Sequence, residues 1–196
     1  MAQAIEHGHH SSTGTDNRKL LMWIFLGSEC IFFGSLIATY LVFAGDDFGE
    51  LSPDHILDIP VTSMSTFVLL MSSLSMVLAV YGAQHGRITM MRLWLLATVL
   101  LGLLFLGFQV FEFTTFANEG LSLEANQFGA SFFVLTGFHG THVAVGVIYL
   151  SSLLIGSTRR TGLGPETGFH IEIAGLYWHF VDIVWIVIFT VVYLLP

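Results

Sequence analysis

Apolar residues fall in long unbroken runs along this chain, separated by short polar stretches. Five runs stand out: residues 20–44, 63–84, 93–117, 128–155 and 171–195. A helix needs about 20 mostly apolar residues to cross the hydrocarbon of a bilayer. The runs are far too long for barrel strands and do not alternate in polarity, so they predict helices. Several exceed the minimum length, which predicts tilt. The pattern predicts an all-α integral membrane bundle of five transmembrane helices, forming one domain over residues 18–196. The polar residues 1–17, with His7, His9 and His10, read as a disordered tail in preference to a weak metal site. They lack the basic-then-apolar order of a signal peptide, and the first run is too long for a signal core, so it reads as a retained span. The longest connection, 45–62, contains Pro53 and Pro60 and reads as a loop with about one helical turn. No convincing internal repeat is present, which argues against an inverted-repeat transporter.

Composition sharpens this picture. Of 196 residues, 54% are hydrophobic and 10% charged, where a soluble domain carries about 25% charged residues. Lipid is therefore the solvent for most of the surface. The placement of charge says more than its net value of −8. Arg18 and Lys19 precede run one, Arg87 and Arg92 separate runs two and three, and Arg159 and Arg160 separate runs four and five. The other connections hold no Lys or Arg and carry Asp46, Asp47, Glu50, Asp54, Asp58, Glu119 and Glu124. By the positive-inside rule the N-terminus is cytoplasmic and the C-terminus lies outside. Six basic residues in separate pairs make no basic stripe, so nucleic acid is not an expected partner. The single cysteine, Cys30, excludes an internal disulfide and a cysteine-based zinc site.

Ionisable groups inside the runs are the candidates for chemistry, because each costs roughly 2.5–3.5 kcal/mol to insert near mid-bilayer. Glu29 lies about ten residues into run one, roughly 15 Å deep at helical rise. Two readings stand for it: a proton-exchanging or reactive carboxyl, and a protonated structural acid. Glu112 follows Gln109 by three positions on one face of run three, where interhelical hydrogen bonding is the preferred reading. His139 and His142 share a face of run four at a spacing that can place two imidazoles on one metal. Further ligands would have to come from other helices, so hydrogen-bonding histidines at a tight interface with Gly137, Gly140 and Gly146 are preferred. His179 and Asp182 in run five predict a buried pair, either a proton relay or, preferentially, a lock onto a neighbouring helix. Trp178 and Trp185, seven apart, lie on one side of that helix. Ser65, Ser72, Ser73 and Ser75 in run two, and Gly27, Ser28, Gly34 and Ser35 in run one, predict close helix approach. The 18 phenylalanines are scattered and suit lipid-facing packing.

Four segments together resemble a known family. They are Ser28-Glu29 with Phe32, Phe33 and Ala38-Thr39-Tyr40; Gly107-Phe-Gln-Val-Phe-Glu-Phe around Glu112; Thr136-Gly-Phe-His-Gly-Thr-His-Val-Ala-Val-Gly; and Tyr177-Trp-His-Phe-Val-Asp-Ile-Val-Trp, running on to Phe189-Thr-Val-Val-Tyr. In this order and in these runs, the chain resembles subunit III of the haem–copper terminal oxidases, in the short five-helix bacterial form shared by cytochrome c oxidases and quinol oxidases. A related subunit accompanies some nitric oxide reductases. The resemblance covers about residues 18–195. Thr141 stands where the family sometimes has Leu, and its hydroxyl can bond back to its own helix.

The resemblance implies a V-shaped bundle, two helices splayed from three, holding phospholipid in its cleft. It implies an accessory, non-redox subunit of a proton-pumping respiratory oxidase, with no catalytic residue, cofactor or metal in this chain. Haem and copper belong to partner subunits. The implied partners are subunit I as the main contact, subunit II and a small subunit IV, in the bacterial inner membrane. Glu29 falls on the family's carbodiimide-reactive carboxyl, and Arg18 and Lys19 fall near basic positions that meet lipid phosphate. Glu112, His139, His142, His179 and Asp182 form the expected interhelical polar network. Cytochrome c is the donor expected on overall resemblance, with quinol as the alternative. Two other classes compete: a stand-alone proton-coupled transporter using Glu29 and the His179–Asp182 pair, and a membrane metalloenzyme using His139, His142 and His179.

Overall fold

A computed structural model describes residues 16–44, 59–118, 120, 126–158 and 165–194. The tail, most of the acidic connection 45–62, Glu119, Glu124, Arg159 and Arg160 lie outside the described residues. Five helices account for nearly all of the rest: α1 (Asn17–Ala44), α2 (Ile59–Gln84), α3 (Ile88–Asn118), α4 (Gln127–Thr158) and α5 (Pro165–Phe189), the last continued by a π-helical turn, Thr190–Leu194. Each is long and apolar enough to cross a membrane.

The helices begin before the apolar runs because their first turns tolerate polar and imino residues. Asp16 caps α1 by accepting from the Arg18 amide at 2.9 Å. Asn126 caps α4 by accepting from the Gly129 amide at 2.6 Å. Pro60, read as part of a loop, lies in the first turn of α2, where its missing N–H has no partner to lose. Pro165 opens α5 for the same reason. The α2–α3 turn is three residues long. Gly86 takes φ +68°, the Arg87 amide donates to the Gly82 carbonyl at 2.8 Å, and the Gly86 amide donates to Ala83 at 3.3 Å. This Schellman arrangement closes the hairpin so tightly that a Cβ on Gly82 would stand 2.8 Å from the Met91 backbone nitrogen.

In the packing α2 meets α3 and α5, α4 meets α3 and α5, and α1 lies against α4 and α5. The interior between α2, α3, α4 and α5 is filled: Phe105, Trp178, Trp185 and His139 are all fully buried. The open groove lies between α1 and α4–α5. It has a volume of about 460 Å³ and is walled by Met22, Phe25, Phe138, His142, Val145 and Tyr177. α1 touches the bundle along one side only, leaving Leu21, Ile24, Ile31 and Val42 exposed.

Candidate functional site

The chemistry of this bundle lies in its intramembrane polar side chains, which the fold distributes over four places. The first is the α2–α5 seam. Trp178 Nε1 donates to Ser72 Oγ and Trp185 Nε1 donates to Thr66 Oγ1, both at 3.0 Å. Each hydroxyl in turn donates to its own helix, Ser72 to the Leu69 carbonyl and Thr66 to the Thr62 carbonyl. A serine or threonine hydroxyl has one proton and two lone pairs, so this division satisfies both partners. Between the indoles, His179 Nδ1 lies 2.7 Å from Ser73 Oγ. Space for Trp178 comes from glycine: a Cβ on Gly102 would stand 2.7 Å, and one on Gly146 2.9 Å, from its ring.

The expected His179–Asp182 pair does not form. His179 turns to Ser73 on α2, and neither Asp182 carboxyl oxygen has a hydrogen-bond partner, although the residue is only 3% exposed. Ser73 is the hydroxyl that acts on the carboxyl, but no hydrogen bond closes between them. Residues three apart share a helix face, but that alone does not join them when a hydroxyl on the facing helix lies nearer.

The second place joins α1 to α4. Glu29 Oε2 lies 3.3 Å from His142 Nε2, with less than a fifth of either side chain exposed. His142 Nδ1 is 2.8 Å from the Phe138 carbonyl. A carbonyl only accepts, so Nδ1 carries a proton and Nε2 faces the carboxyl. The Tyr177 hydroxyl, next to the same groove, donates to the His142 carbonyl at 3.0 Å. This pairing was invisible in the sequence, where Glu29 and His142 lie on different runs.

The third place is at the far end of α2 and α3. Thr62 Oγ1 donates to Glu112 Oε1, and Tyr193 packs beside them near Tyr40. Glu112 thus has the interhelical bonding read for it. One turn away, Gln109 Nε2 donates to the Thr136 carbonyl at 2.6 Å and lies across Gly140, where a Cβ would meet the amide at 2.6 Å.

The fourth place is the end carrying the basic residues. Lys19 Nζ is 2.5 Å from Glu172 Oε1, tying α1 to α5, and Arg18 lies over the Phe169 ring at 4.7 Å while its Nε is 3.5 Å from Asp16. Both residues expected at lipid phosphate are therefore engaged within the chain. Arg92 donates to the Ser157 carbonyl near the end of α4, satisfying a terminal acceptor. Glu172, Ser73, Thr66 and Thr62 were not singled out as partners. The serine spacing of run two is the available signal, and by itself it predicts close approach without naming partners.

His139 has no hydrogen-bond partner at either ring nitrogen. It is fully buried, stacked on Trp185 at 4.9 Å and edge-on to Phe105 at 5.9 Å. It acts as an aromatic filler in the seam and not as a member of a hydrogen-bonded network. His142 and His179 turn to Glu29 and Ser73 respectively. Among the described residues no three His, Cys, Asp or Glu side chains converge on one point, so the three-histidine site of the metalloenzyme reading is not assembled.

Known sequences match this chain along its length. The sequence model of the family described as cytochrome c oxidase subunit III matches residues 1–195. The chain is 40% identical to quinol oxidase subunit 3 of Bacillus subtilis (strain 168), over 97% of this chain and 96% of that one. It is 41% identical to cytochrome c oxidase subunit 3 of Bacillus sp. (strain PS3), over 91% and 86%. It is 40% identical to cytochrome c oxidase subunit 3 of B. subtilis (strain 168), over the same shares. With five membrane-crossing helices and a match that runs from end to end, the chain belongs to the cytochrome c oxidase subunit III family.

Proposed function

We propose that this chain is the accessory, non-redox subunit III of a proton-pumping respiratory haem–copper oxidase, in which partner subunits carry haem and copper and reduce oxygen to water. The family match over residues 1–195 carries this reading. The side chains agree with it: the buried polar groups are spent largely on contacts between helices, as at Trp178–Ser72, Trp185–Thr66 and Glu29–His142. The chain sits in the bacterial inner membrane with its N-terminus in the cytoplasm, as the distribution of basic residues supports. It packs on subunit I, with subunit II and a small subunit IV in the same complex. The groove beside α1 holds a phospholipid acyl chain, which its apolar walls suit. Affinity purification of the tagged chain from its native membrane tests this. A haem-bearing complex with oxygen-reducing activity is expected, with no haem absorbance from the chain once separated. A haem spectrum in the separated chain, or no oxidase in the complex, overturns the reading.

The electron donor lies with the partner. The cytochrome c donor first expected now stands beside quinol, because identity to the two kinds of relative is nearly equal. Coverage does not divide them either, since quinol oxidase relatives match 90% to 97% of this chain and cytochrome c oxidase relatives 91%. Oxygen uptake by the purified complex with a reduced quinol, compared with reduced cytochrome c, separates the two.

A further inference from the structure

Asp182 is the one buried acid whose oxygens nothing in the described chain satisfies. It lies 3% exposed on α5, with both oxygens unpartnered. A buried carboxyl left without hydrogen bonds keeps its full desolvation penalty, and more of it if charged. Such groups are ordinarily satisfied by buried water, which needs space and polar partners. Both are at hand. An open groove of about 310 Å³ runs along the α2–α5 face, with Tyr81, Gln84, Glu172 and His179 as its polar lining and Val77, Val80 and Leu176 as its apolar lining; Asp182 does not line it and is approached from it through His179. Glu172 and Gln84 stand at the end of the bundle that carries Lys19, and His179 lies deepest. Beyond it, Ser73 accepts or donates at 2.7 Å to His179 Nδ1 and acts on the Asp182 carboxyl. Glu172, Gly175, His179 and Asp182 recur at helical spacing on α5, so one stripe runs from the helix end to the acid, about 15 Å over ten residues.

We propose that this groove is a hydrated inlet through which Asp182 exchanges a proton with the aqueous phase at the Lys19 end of the bundle. A hydronium in the inlet gives its proton to His179 Nε2 and becomes water. Nδ1–H passes to Ser73 Oγ, and the Ser73 hydroxyl proton passes to an Asp182 carboxylate oxygen, directly or through one water. His179 ends neutral in its other tautomer, Asp182 ends protonated, and a ring flip or the reverse transfer resets the path. The groups facing the inlet are Glu172 and His179 from α5 and Tyr81 and Gln84 from α2, with Lys19 of α1 held on Glu172 at 2.5 Å. No metal, cofactor or second substrate enters this step.

The test is infrared difference spectroscopy on the assembled complex during exchange from H2O to D2O, between neutral and mildly acid pH. The protonated carboxyl band that Asp182→Asn removes identifies the group. It is expected to shift early in wild type, within the time of the exposed carboxyls. Gly175→Leu is expected to plug the inlet, since a Cβ there already lies 3.1 Å from Val80. It slows the shift by roughly tenfold or more, the equivalent of about 1.4 kcal/mol on the barrier. Val80→Phe fills the same space from α2 and serves if Gly175→Leu fails to assemble. Ser73→Ala is expected to slow exchange while leaving the groove open. Absence of an Asp182-dependent protonated band overturns the proposal. So does exchange in either plugged variant at the wild-type rate, or exchange in wild type as slow as in the plugged variants.

Discussion

At the scale of residues, the glycines divide by what they face. Gly102 and Gly146 clasp the two sides of the Trp178 ring, whereas Gly27, Gly34 and Gly107 have nothing within 4 Å of a built Cβ. Replacing either clasping glycine with alanine is expected to destabilise the chain by about 1–3 kcal/mol through overpacking. Because both push on one ring, the double variant is expected to lose less than the sum. Alanine at Gly27 or Gly107 is expected to be neutral or to stabilise by up to about 1 kcal/mol, as in any exposed helix position. Thermal unfolding in detergent, followed by circular dichroism, orders these variants, and equal losses at both kinds of site would refute the clasp. A second residue-scale prediction concerns Glu29 and His142. Alanine at either leaves the other without its partner in a low-dielectric setting, so a double-mutant cycle is expected to give a coupling of about 0.6–1.7 kcal/mol. A coupling near zero would mean that the 3.3 Å approach carries no energy.

At the scale of elements, the apolar runs revealed which segments are helices, because hydrocarbon forces the backbone to satisfy itself. Ends were less legible. Pro60 reads as part of the 45–62 loop but sits in the first turn of α2, where proline is tolerated. The polar candidates Glu29, Glu112, His142 and Asp182 were recognisable singly, since each is costly in lipid. Their partners were not, because a facing helix is set by tertiary packing and not by spacing along one chain. The failed His179–Asp182 pair and the found His179–Ser73 contact are the clearest example. The α2–α5 seam gives an element-scale prediction. Trp185→Phe removes one indole donor but leaves Thr66 still donating to the Thr62 carbonyl. The loss is therefore expected to be about 0.5–1.5 kcal/mol, the worth of one hydrogen bond with no orphan left behind. Trp185→Ala also uncovers His139, stacked 4.9 Å away, and is expected to cost about 3–5 kcal/mol as a cavity. Chemical unfolding of the two variants side by side distinguishes the hydrogen bond from the packing.

At the scale of the whole molecule, the five helices are not held equally. α2, α3, α4 and α5 close on one another in a ring, with a core that runs from Leu69 and Met76 through Phe105 to Trp178 and Trp185. Among the described residues α1 packs mainly on α4 and α5, anchored by Phe33 and Tyr40 in the core, by Glu29 on His142 and by Lys19 on Glu172. The Lys19–Glu172 contact is about one-third exposed on each side, and a pair of that kind contributes at most about 1 kcal/mol. Local stability follows buried contact, so the first element to open is the one with least of it. Hydrogen exchange of the separated chain in detergent is expected to show α1 amides exchanging ahead of those of α2, α3 and α5, with the stretch before Glu29 earliest. In the assembled complex α1 protection is expected to rise toward that of the ring, as a partner or a lipid seated in the groove beside Phe25 and Tyr177 would produce. Equal protection of all five helices in the separated chain would show that the groove side of α1 is held by the chain itself, and would remove the physical reason for that helix to depend on its neighbours in the complex.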